Sequence, residues 1–119
     1  MINNNFEKKL KSKEFVFTAE TSPPDSTVRS EITDRVLCLK DLADAINVTD
    51  GASAKSHLSS LVVSSIIKDI EIEPILQLTT RDRNRIAIQS DLLGAWTLNI
   101  QNILCCLLYT SPSPRDAYV

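Results

Sequence analysis

Three apolar runs in this chain end on polar side chains that could do chemistry. Phe15-Val16-Phe17-Thr18-Ala19 ends on the carboxylate of Glu20 and is stopped at once by Ser22-Pro23-Pro24. A second run ends at Thr49-Asp50-Gly51, and a third, interrupted by Gln77, ends at Thr79-Thr80-Arg81-Asp82. A carboxyl group set among Phe17, Pro23 and other apolar atoms would be favoured in its neutral form, the form a general acid needs near neutral pH. The plainer reading of Glu20 is a solvated loop acid or a carboxylate at a helix N-terminus. Other chemistries find no support. The chain has two glycines and neither GxGxxG nor GxxxxGK[ST], so no phosphate-cradling turn is expected. The one histidine, His57, is expected early in a helix as a solvated or capping residue, and no Ser-His-Asp set can be built around it. No spacing of acids, histidines and cysteines suggests a metal.

The elements that must hold these residues follow from periodicity. Phe15 to Glu20, Asp44 to Thr49, Ile72 to Thr80 and Asn99 to Cys106 are short, β-rich and apolar, as buried strands are. Helices are predicted between them. The first, capped by Asp25 or Ser26, carries Val28, Ile32, Val36, Leu39 and Ala43 in one stripe. The second, capped by Ser53, is expected to bury Leu58, Leu61, Val62, Ser65 and Ile66. The third, capped by Asp82, is expected to bury Ile88, Leu92 and Ala95. Strand exits recur at Glu20, Thr49, Thr79 and Cys105, at the ~30-residue spacing of a βα unit. Repeated βα units with apolar strands mean a parallel sheet covered by helices, either doubly wound or part of a (β/α)8 barrel. In both, function sits at the C-terminal ends of the strands.

Composition narrows the class. With 119 residues the chain is at most one ordinary domain, and 43% hydrophobic with 24% charged residues is the balance of a soluble globular protein. A net charge of −2, without a basic cluster and with 5% aromatics, argues against nucleic acid as a partner. No apolar run approaches a membrane span, and the lysine-rich start has no signal-peptide core. Three cysteines, Cys38, Cys105 and Cys106, are read as buried reduced thiols of a cytoplasmic protein.

The segments FVFTAETSPPD, INVTDGASA, PILQLTTRDRNRIAIQSDLLGA and NIQNILC, in that order, resemble the methylenetetrahydrofolate reductase family from about Phe15 to Cys105. The resemblance implies a (β/α)8 barrel of which this chain supplies about half. It implies FAD as cofactor, NADH or NADPH as electron donor, and reduction of 5,10-methylenetetrahydrofolate to 5-methyltetrahydrofolate in one-carbon metabolism. By resemblance Glu20, in E-T-S-P-P, is the general acid that protonates N10 of the folate. Thr49, Asp50, Ala52, Gln77 and Thr79 fall on or beside flavin-contacting positions. The Gln77 position carries histidine in some members. The partners implied are a folate and a nicotinamide donor, with homo-oligomers of the intact enzyme left open.

The chain departs from the family after its fourth strand. Leu107-Leu108-Tyr109 stands where the family has a Gly-Asp loop, and the segment CLLYTSPSPRD resembles a translated sequencing adapter. The organisation expected is an N-terminal arm or short helix at 1–13, a partial barrel at 14–105 and a non-native tail at 106–119. The chain alone is expected not to turn over. The alternative is a small non-enzymatic α/β binding or regulatory domain with an open parallel sheet. A second rival is another flavin- or folate-dependent barrel.

Overall fold

The computed structural model describes residues 5–106. A short helix, α1 (Asn5–Lys11), precedes an alternation of strands and helices: β1 (Thr18–Thr21), α2 (Arg29–Leu37), β2 (Ala45–Val48), α3 (Ser60–Asp69), β3 (Pro74–Thr79), α4 (Arg85–Thr97) and β4 (Asn102–Cys106). One 3-10 turn, Ala52–Ala54, interrupts the loop between β2 and α3. Of the tail expected at 106–119, Cys106 is the last residue of β4 and the rest, 107–119, lies outside the described residues.

All strand pairs are parallel and the spatial order is β1-β2-β3-β4. This order decides between the two architectures that the repeat allowed. A doubly wound sheet reverses direction at a switch point and carries helices on both faces. Here the order never reverses, and the crossover helices share one face, as in half of a (β/α)8 barrel. Alternation along the strands separates that face from the other. Ile46 and Val48 point to the helices and pack with Ile32 and Val36 of α2 and Val63, Ile66 and Ile67 of α3. Leu76 packs with Ala95 and Ile100 on the α4 side. Burying one such aliphatic side chain contributes about 1.5–3 kcal/mol, so this layer is the main source of cohesion.

The turns below the sheet repeat as the βα units do. After α3, Glu71 takes a left-handed conformation (φ 64°) and Ile72 donates its N–H to Ile67 O at 3.2 Å. After α4, Asn99 does the same (φ 63°) and Ile100 donates to Ala95 O at 2.9 Å. In both, the next isoleucine is buried. These are Schellman closures, in which a left-handed residue satisfies the last carbonyls and drives an apolar side chain into the core.

Several sequence expectations are corrected. β1 begins at Thr18, and Phe15 and Phe17 are 80% and 62% exposed, their rings stacked edge to face on each other instead of in a core. α2 is preceded by Val28, with Ser26 Oγ only accepting the Val28 N–H. α3 starts at Ser60, not after Ser53, and buries Ser60, Val63, Ser64, Ile66 and Ile67, so Val62 is exposed. Asn84, not Asp82, caps α4 by accepting the Ala87 N–H at 2.8 Å. Of the predicted α4 stripe only Ala95 is fully buried, and Trp96 is 70% exposed. The cysteines are free but not buried: Cys38 and Cys105 are exposed and Cys106 half-buried. Among the described residues no helix is long and apolar enough to cross a membrane.

Candidate active site

The face away from the helices is polar where the strands end. Each of the first three strands closes on the same local pattern: Glu20-Thr21-Ser22, Asn47-Val48-Thr49 and Gln77-Leu78-Thr79. The two-residue period of a strand puts the first and third member of each on one face. A lower row of carboxyl, amide and amide results, with an upper row of hydroxyls above it.

The lower row is joined through Asn47. It stands opposite Glu20 in the β1–β2 register. Its Nδ2 donates to Glu20 Oε1 at 3.1 Å and to Gln77 Oε1 at 3.3 Å. Gln77 lies two residues beyond Ile75, the register partner of Asn47, and so on the same face. The Gln77 carbonyl also accepts Ser60 Oγ–H at 3.2 Å, which ties β3 to the first turn of α3. Asn47 Oδ1 is buried and accepts no hydrogen bond. In the upper row Thr49 Oγ1 donates to Ser22 Oγ at 3.1 Å, and the Thr49 N–H donates to Thr21 O at 3.1 Å.

Asp50 and Thr79 form a separate knot at the exits of β2 and β3. The Thr79 N–H donates to Asp50 Oδ2 at 2.8 Å, and Thr79 Oγ1 donates to Asp50 O at 3.1 Å. Arg83 closes the other side. Its Nη1 donates to Asp50 Oδ2 and its Nη2 to Asp50 Oδ1, so the pair is bidentate. Arg83 Nη1 also reaches Thr79 O at 2.8 Å, and its Nε reaches Asp91 Oδ2 at 3.1 Å. The Asp50 hydrogen bond pushes the Arg83 guanidinium above its ordinary value, so its charge is fixed. The Asp50 carboxylate thus faces back into the protein, while its neighbours Gly51 and Ala52 form the rim. Gly51 is left-handed (φ 60°), and a Cβ built there would meet only Arg81 Nη2, at 3.8 Å.

His57 sits in the loop before α3, half-buried, not in the helix. Nδ1 lies 2.9 Å from Pro23 O and Nε2 3.2 Å from Ala52 O. It therefore joins the loop after Glu20 to the loop after Thr49, a role that its sequence position did not suggest. Glu20 itself is exposed, and neither Phe17 nor Pro23 encloses it. The apolar enclosure expected around this acid is not formed by the described residues.

The site residues expected from sequence fall into three places. Glu20, Thr49 and Gln77 share the polar face, Asp50 and Thr79 share the Arg83 knot, and Ala52 stands in the 3-10 turn against His57. Sequence reading missed Asn47, Arg83 and the bridging position of His57. For Asn47 a signal exists: an amide inside an apolar strand, two residues before a threonine, as Gln77 stands before Thr79. A family model described as methylenetetrahydrofolate reductase matches residues 5–107. No curated protein matches the chain at a significant level.

Proposed function

The chain belongs to the methylenetetrahydrofolate reductase family, and from that we propose that its barrel reduces 5,10-methylenetetrahydrofolate to 5-methyltetrahydrofolate with Glu20 as proton donor. The observation that carries the reading is the placement of Glu20. It is the only carboxylate in the row of side chains at the strand ends, it faces away from the helices, and an amide holds one of its oxygens. Active sites of barrels of this kind lie at the C-terminal ends of the strands. There Glu20 would deliver its proton to N10 of the folate, opening the ring that carries the methylene carbon, and the resulting carboxylate would stabilise the developing cation.

The family implies FAD, and the residues present fit it in kind. Thr80 Oγ1 is buried without a partner, and within 4 Å of a Cβ built on Gly51 only Arg81 Nη2 is met. Thr49, Ala52 and Gln77 would hold the flavin together with the main-chain N–H of Asp50, whose carboxylate is committed to Arg83 and whose carbonyl is committed to Thr79, while Thr79, buried with both its N–H and its hydroxyl on Asp50, would act by fixing that turn. When bound, the flavin supplies the hydride, and NADH or NADPH restores it. We place the reaction in the cytoplasm, in one-carbon metabolism and methionine supply. The described residues provide four strands of the eight that such a barrel uses, so turnover is assigned to the complete barrel and not to the 119-residue chain alone. The open-sheet binding domain is disfavoured by the unreversed strand order.

The test is Glu20→Gln in a chain carrying the complete barrel. Flavin reduction by the nicotinamide should persist, while reduction of the methylene folate should fall by at least ~100-fold. Equal loss in both half-reactions would remove Glu20 from its role.

A further inference from the structure

We propose that His57 is a positioning residue for the proton donor: it holds the loop that follows Glu20 at a fixed distance from the Asp50–Ala52 rim. Pro23 and Pro24 are buried and have no N–H, so this part of the loop can be held only through its carbonyls. The four successive carbonyls from Thr21 to Pro24 all accept. Thr21 O takes the Thr49 N–H at 3.1 Å, Ser22 O takes Arg35 Nη1 at 3.2 Å, and Pro24 O takes the Leu58 N–H at 3.0 Å. Pro23 O lies 2.9 Å from His57 Nδ1. A carbonyl oxygen only accepts, so Nδ1 carries the proton of this contact.

The other side of the ring faces the rim. Nε2 lies 3.2 Å from Ala52 O, so one side chain spans from the loop after Glu20 to the turn that would meet the flavin. That turn needs a tie. Gly51, Ser53 and Ala54 take left-handed φ values of 60°, 59° and 55°. Glycine does so without steric cost, and serine and alanine do not. Such residues persist where their surroundings over-determine them. The turn's own main-chain bonds, Ala54 N–H to Gly51 O at 3.0 Å and Lys55 N–H to Ala52 O at 3.3 Å, are local. The His57 ring and the Leu58 N–H fasten it to the loop after β1.

Asn47 holds the Glu20 carboxylate from β2, and His57 holds the backbone that follows it. For Glu20 to deliver a proton to a substrate held at the flavin rim, the two loops must keep their separation. A reacting group displaced by about 1 Å can lose ~100-fold in rate. This role rests on the reading of Glu20 as proton donor. Equal loss of both half-reactions in Glu20→Gln would remove that reading, whereas the tie itself is measured without folate or flavin.

Two substitutions separate the two contacts. His57→Asn keeps an N–H donor at the Nδ1 position and loses the one at Nε2, and His57→Gln does the reverse. In the 119-residue protein, hydrogen exchange follows the Leu58 N–H, whose acceptor is the carbonyl next to Pro23 O. Its protection should survive in His57→Asn and fall by about tenfold in His57→Gln. Nitrogen resonances of the wild-type ring should show a proton on Nδ1. In a chain carrying the complete barrel, methylene-folate reduction relative to nicotinamide-driven flavin reduction should fall by about tenfold in His57→Gln and recover in His57→Asn. Packing alone would rank the two variants together or favour glutamine, the larger side chain. The proposal is overturned by a bare Nδ1, by equal Leu58 exchange in the two variants, or by equal rate ratios. His57 lies outside every helix and strand, so both variants should fold; if one does not, the proton on Nδ1 of the wild type decides.

Discussion

Arg83 grips both carboxylate oxygens of Asp50, thirty-three positions away in sequence, while the same carboxylate accepts the Thr79 N–H. One ion pair thus fixes the relative height of the β2 and β3 exits. The side chains are 22% and 10% exposed, enough enclosure for the pair to be costly to break from one side. Arg83→Ala would leave Asp50 buried and unopposed and should destabilise the protein by about 2–4 kcal/mol. Urea unfolding measures this. A midpoint unchanged from the wild type would show the knot to be energetically idle.

The helix between β2 and β3 gives a second test. Ile67 is fully buried against the sheet and Val62 is exposed. Ile67→Ala should cost about 2–5 kcal/mol through lost burial and the cavity left behind. Val62→Ala should stay within roughly 0.5 kcal/mol of wild type, as surface changes do. The reverse ranking in denaturant melts would mean that α3 presents its other face to the sheet.

Glu71 occupies a left-handed position that glycine fills without steric cost. Glu71→Gly should therefore raise stability by about 0.5–1 kcal/mol, seen as a higher thermal midpoint. The same change at Asn99 should do less, because asparagine already tolerates this conformation. A lower midpoint for Glu71→Gly would sink the account of this turn.

Acid should loosen the base of β1. Asp44 accepts from Lys9 Nζ at 2.6 Å and from the Phe17 N–H at 2.9 Å. The Lys9 hydrogen bond, then the Phe17 one, holds its carboxyl below the ordinary aspartate value, and Lys9 is correspondingly raised by Asp44. A depressed acid contributes stability that is complete above its unfolded pKa, about 3.9, and is lost as pH falls through its folded value. Thermal midpoints should therefore fall more steeply below about pH 4 in the wild type than in Asp44→Asn. Parallel acid limbs would show that the contact contributes nothing.

The sheet was legible because it is built from local signals. Apolar runs of strand length separated by helical stretches recur in every unit, with a proline stop after the first strand, and parallel pairing follows from them. The α3 face was not legible, because Leu58 to Ile70 is apolar or small nearly all round. Two stripes are equally apolar there. The one that packs is chosen by Ser60 and Ser64, which are small enough to lie against β3. Glu20 was legible as a residue near the strand exit, since the prolines at 23 and 24 end the strand just beyond it, at Thr21. The Asp50–Arg83 pair was not, because nothing in a local window says which arginine after β3 will turn back to β2.

The unreversed strand order also has a meaning for how the chain is made. Each strand pairs with the one synthesised just before it, so no late strand has to be inserted between two earlier ones. Loop closures stay about one βα unit long, the regime in which topology slows folding least for a parallel sheet. A nascent chain can lay down β1, α2 and β2 as soon as they leave the ribosome and build outward from that edge. The polar rim is completed in the same sequence, Glu20 first, then Asn47, then Gln77.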